Sequence, residues 1–79
     1  MATIRLFASA REAAGTDRDH IDAGTVGEVL DAAVDRFGPA FAQVLGSCKV
    51  WLNGEPADRD DAVTADDEVA VLPPVSGGS

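Results

Sequence analysis

Residues 25–37 read TVGEVLDAAVDRF. Val26, Val29, Leu30, Ala33, Val34 and Phe37 recur at steps of three and four, so they share one face of a helix. Glu28, Asp31, Asp35 and Arg36 lie largely away from it. Thr25 and Glu28 have the spacing of a capping box, in which each side chain satisfies a free backbone N–H of the first turn. Gly38 is expected to stop the helix in a left-handed conformation, and Pro39 to prevent its continuation.

Segments that read as strands flank this helix. In TIRLFA (3–8), Ile4, Leu6 and Ala8 alternate with Arg5 and Phe7, the period of a half-buried strand. SAREAAG (9–15) suits a short helical turn ended by Gly15. TDRDHIDA (16–23) reads as a weak second strand whose aspartates suggest a solvated edge. After the helix, PAFAQVLGS is a partly apolar connection with room for another short turn. In CKVWLNGEPA (48–57), Val50 and Leu52 alternate with Lys49 and Trp51, and Asn53-Gly54 is the strongest tight-turn signal in the chain. The polar stretch DRDDAVTADDE leads to Val69, Ala70, Val71 and Leu72. This unbroken apolar run predicts a central strand covered on both faces. Strand, strand, helix, strand, strand fits an α+β layer with one helix across a mixed sheet.

The totals narrow the function. A chain of 79 residues forms one small core and leaves no room for an enclosed catalytic cleft. No apolar run approaches a membrane span, and MATIRLFASAREAAG lacks a signal-peptide pattern, which predicts a cytoplasmic protein. Fourteen acidic against six basic residues give a net charge of −8, which opposes binding to nucleic acid or anionic membranes. An acidic surface suits a basic protein partner or serves only solubility.

Conventional chemistry finds little purchase. DRDDAVTADDEV starts like a calcium loop, but Val63 stands where the turn needs glycine and Val69 where the ion needs a bidentate glutamate. His20 is the single histidine and Cys48 the single cysteine, so neither a disulfide nor a histidine-pair metal site is available, and no metal is expected. A Cys48–His20 nucleophile pair lacks any third group to orient it. Phe7 and Trp51 sit out of phase with the inward residues of their strands. That placement fits either cover on the other sheet face or a partner-binding patch.

The ending LPPVSGGS (72–79) differs from all of these. A frayed terminus is one reading. Yet Pro73-Pro74 fixes an extended path with little entropy left to lose on docking, and Gly77-Gly78 lets backbone enter a channel where any Cβ would clash. Together they suit a carboxylate that must reach another protein's active site. The expected organisation is a folded body over 1–75 and a flexible tail over 76–79.

RLFASAREAAGTD and DDEVAVLPPVSGG carry a resemblance, extending through the whole chain, to the small-subunit family of molybdopterin synthase and the wider MoaD/ThiS group of ubiquitin-like sulfur carriers. The resemblance implies a β-grasp fold. It also implies that an enzyme similar to ubiquitin E1, acting as adenylyltransferase and sulfurtransferase, spends ATP to adenylate Gly78 before a sulfur donor makes the thiocarboxylate. Gly77 would let that end pass the partner's channel. Phe7, Arg11, Leu72, Pro73, Pro74 and Val75 match family positions near the partner contact, while Trp51 is not among them. The implied acceptor is the large subunit of a molybdopterin synthase, and the chain itself is neither an enzyme alone nor the binder of a cofactor. Ser79 departs from the pattern, because the carboxylate of Gly78 is tied up in a peptide bond. Maturation by a peptidase accounts for it; a cloning remnant or an inactive copy are the alternatives. A covalent protein modifier, a carrier of sulfur for cysteine or a thio-metabolite, and a plain interaction domain are the rival functions.

Overall fold

The computed structural model describes residues 1–73. Five strands form one mixed sheet: β1 (Ala2–Leu6), β2 (Arg18–Ile21), β3 (Lys49–Leu52), β4 (Glu55–Pro56) and β5 (Glu68–Leu72). Their spatial order is β2-β1-β5-β3-β4. β1 and β5 run parallel, with Leu6 beside Val71, and the other pairs are antiparallel. Three helices, α1 (Ala8–Ala14), α2 (Val26–Phe37) and α3 (Pro39–Leu45), complete the fold. This is the α+β, β-grasp architecture expected from the sequence, with β5 central. No helix among the described residues is long and apolar enough to cross a membrane.

α2 forms for the reasons the sequence gives. Val26, Val29, Leu30 and Ala33 are buried, while Val34 and Phe37 pack partly against the same core. The Glu28 N–H donates to Thr25 Oγ1 at 3.2 Å. Glu28 Oε1 accepts from the Gly24 N–H at 2.8 Å rather than from Thr25, so the reciprocal half of the capping box reaches one residue further back. A loop holds the remaining first-turn donors: Val26 N–H donates to Asp61 O and Gly27 N–H to Arg59 O, each at 2.9 Å.

Several expectations need correction. Gly38 has positive φ (99°), but its ψ of −175° is extended rather than left-handed helical. It ends α2 and caps α3 at once. Pro39 does not merely block continuation; it occupies the first turn of α3, where its missing N–H costs nothing. The supposed connection is therefore a two-turn helix whose Phe41 is fully buried, the largest side chain in the core, edge-on to Phe37 at 5.3 Å. β1 ends at Leu6, and Ala8 is exposed with φ 51°, so it does not continue the inward row. The short helical turn is α1, seven residues long, and Gly15 ends it in the left-handed conformation. Asn53 and Gly54, at φ 51° and 85°, make the tight turn that brings back the unforeseen two-residue strand β4.

β5 is central but not covered on both faces. Val69 and Val71 are buried beneath the helices, whereas Ala70 and Leu72 are half-buried on the opposite face. The helices all lie on one side, so strand alternation leaves an open sheet face.

Candidate functional site

The parallel pairing of β1 and β5 makes both strands run out at the same end of the sheet. Phe7 N–H donates to Val71 O at 3.2 Å, and Phe7 O accepts from Ala10 N–H at 3.0 Å. Phe7 is thus fixed as the joint between sheet and α1, and the residue is 37% exposed. The Arg5 guanidinium carbon lies 5.3 Å from the ring centroid, a cation–π contact on the open face. Leu72, half-buried, pairs with Lys49 of β3, and Pro73 follows, also half-buried. Phe7, Leu72 and Pro73 therefore share one end of the sheet, at the point where the tail leaves. Arg11 lies on the adjoining helix, exposed, with its amide donating to Phe7 O at 3.4 Å. Pro74, Val75, Gly77, Gly78 and Ser79 lie outside the described residues, as does the boundary between body and tail.

Trp51 belongs to the same face. It pairs with Ala70, two residues from the Lys49–Leu72 pair, and points to the open side. With Lys49, Val50, Pro56 and Ala57 it lines a shallow groove of about 320 Å³. Its alternation with Val50 and Leu52 signalled this position, although the family motifs did not include it.

His20 and Cys48 do not meet. β1 and β5 stand between their strands, which puts roughly 14 Å of sheet between them. His20 Nδ1 lies 3.3 Å from Thr3 Oγ1 on the open face. Cys48 packs partly against the core, and burial pushes its thiol pKa up, away from a reactive thiolate. Among the described residues no three His, Cys, Asp or Glu side chains gather as a metal site. The carboxylates are held in local structure. The Arg36 guanidinium, 2.8 Å from Asp19, and the His20 N–H keep the Asp19 carboxyl below its usual range. The Thr64 N–H and the Asn53 amide do the same for Asp67. This end of the sheet brings Phe7, Leu72 and Pro73 together, with Arg11 on the adjoining helix.

The sequence profile of the ThiS family matches residues 4–78. The chain is 38% identical to small archaeal modifier protein 1 of Haloferax volcanii over 94% of this chain and 97% of that protein. The crystal structure of that modifier superposes with a TM-score of 0.80, at 40% identity, covering 98% of each chain. The molybdopterin synthase sulfur carrier subunit of Chlamydomonas reinhardtii is 36% identical over 95% of both proteins. A complex of subunits 1 and 2 of the molybdopterin-converting factor from Helicobacter pylori contains a chain 26% identical to this one, with a TM-score of 0.73, covering 98% of this chain and 97% of that one.

Proposed function

Since this chain belongs to the ThiS family of ubiquitin-like sulfur carriers, we propose that it delivers sulfur from Gly78 in molybdopterin biosynthesis. The peptide bond to Ser79 is first cut by a peptidase. An E1-like enzyme then joins the freed carboxylate to AMP, with pyrophosphate leaving. A carboxylate is a poor electrophile, but the mixed anhydride carries a good leaving group. Sulfide-level sulfur (HS⁻) from a donor attacks the acyl carbon and displaces AMP, leaving C(=O)–S⁻, a soft nucleophile. Gly77 lets this end enter the large subunit of a molybdopterin synthase, where the sulfur is passed on. ATP is consumed by the activating enzyme, and the carrier, which acts in the cytoplasm, binds no cofactor of its own.

One observation carries the reading. The central strand runs directly into Pro73, flush with Phe7 and Leu72, so the tail issues from the most firmly held strand beside an exposed aromatic anchor. Phe7, Arg11, Leu72, Pro73, Pro74 and Val75 form the docking surface, and Gly78 is the reacting residue. A second reading is favoured by the likeness to the Haloferax modifier: the activated Gly78 acyl group forms an isopeptide bond with a lysine of another protein. Intact mass of the protein from its own host separates the two. Loss of Ser79 with one terminal oxygen replaced by sulfur is the expected result; conjugates joined through Gly78 would favour the modifier. A chain that keeps Ser79 under every condition would exclude both.

A further inference from the structure

The sheet ends in a border strand on either side, β2 and β4. A row of unpaired N–H and C=O groups on such a border is a template for a strand of another chain. β4 offers little of one. It has two residues, and the Ala57 N–H donates inward to Val50 O at 3.0 Å, which leaves Pro56, without an N–H, facing outward.

β2 is longer. The Leu6 N–H donates to Asp17 O at 3.0 Å, so by the alternation of an antiparallel ladder Asp19 and Ile21 also turn their backbone groups toward β1. Arg18 and His20 turn theirs away from the sheet. Side chains take up all four of these outward groups. Thr16 Oγ1 donates to Arg18 O at 3.0 Å and receives the Arg18 N–H at 3.4 Å. Asp19 Oδ1 receives the His20 N–H at 2.8 Å. Arg36, reaching across from α2, donates to His20 O at 3.0 Å and to Asp19 Oδ2 at 2.8 Å. Local bonds of this kind compete directly with a sheet ladder.

We propose that Thr16, Asp19 and Arg36 form a latch that shuts the edge of β2 against a second copy of this chain. A second copy is the fitting occupant, because an antiparallel pair about a two-fold axis needs the same outward groups from both members. Arg18 and His20 supply them, one donor and one acceptor each. With the latch open, one sheet would run through both copies. Neither Gly78 nor sulfur chemistry enters into it.

The test measures mass by sedimentation equilibrium from about 10 μM to about 1 mM, the range in which unpaired strand edges associate. About 1 M salt screens the charge of −8 on each copy. The parent should be a monomer throughout. T16V/D19A/R36A removes all three caps and, losing one acid and one base, keeps the net charge of −8. Its mass should approach double the parent's as concentration rises. Hydrogen exchange at its Arg18 and His20 amides should be slowed about tenfold or more at the top of that range relative to the dilute variant. D31A/R59A breaks the other 2.8 Å arginine–aspartate pair, leaves β2 untouched and should stay monomeric. A folded triple variant that remains a monomer overturns the proposal. So does association that leaves those two amides fast, equal association of D31A/R59A, or a parent that already pairs through β2. Should the triple variant fail to fold, T16V/R36M, which uncaps Arg18 and the His20 carbonyl, decides by the same readings.

Discussion

Asn53 shows how much one side chain can organise. It accepts the positive φ of the β3–β4 turn, its Oδ1 receives the Glu68 N–H and its Nδ2 donates to Asp67, each at 2.9 Å. The hairpin is thereby tied to the start of β5. Asn53→Ala loses both hydrogen bonds and strains the turn, and should cost about 1–3 kcal/mol in urea unfolding. Asn53→Gly relieves the backbone but not the bonds, and should fall between. Phe7 behaves oppositely. Its structural role is carried by backbone hydrogen bonds, so Phe7→Ala should cost less than about 1 kcal/mol while raising KM for activation severalfold. Gly78→Ala should leave the melting curve unchanged and abolish sulfur transfer, because an added Cβ obstructs the partner's channel.

The helices divide according to what their residues signal. α2 was legible because six apolar residues keep one period and Thr25 marks its start. α3 was not. Its Pro39 looked like a terminator, and the same residue is equally good at the opening of a helix; only the tertiary site for Phe41 decides between them. β4 escaped notice because two residues carry no period, and Ala8 because tertiary context turns the backbone at Phe7. Phe7 was legible from the strand alternation, Leu72 joined it only through the family resemblance, and the tail lies outside the described residues. These differences set the expected costs. Phe41→Ala should remove about 3–5 kcal/mol, a large share of the roughly 4–12 kcal/mol available to a domain of this size. Thr25→Ala should cost about 1 kcal/mol through the lost cap. Both are measurable by chemical denaturation.

Across the whole molecule, pH acts through a few groups. Asp19 and Asp67 have folded pKa values below their ordinary 3.8, so the unfolded chain takes up protons first as the solution is acidified. Their contribution is complete above about pH 4 and is lost as pH falls through the depressed folded values. Urea midpoints should decline below pH 4, less steeply in Asp19→Asn. Cys48 has the opposite sign: its folded pKa lies above 9.0, so stability should fall as pH rises past 9, and Cys48→Ala should remove that fall. The central, doubly bonded β5 has a mechanical consequence. Traction on the C-terminus pulls this strand along its own axis, against a parallel neighbour on one side and an antiparallel one on the other. The rungs of both ladders are then loaded together instead of opening one after another. Cargo joined to this chain, or an unfolding motor that grips it by the end, works against the domain in its most tear-resistant direction.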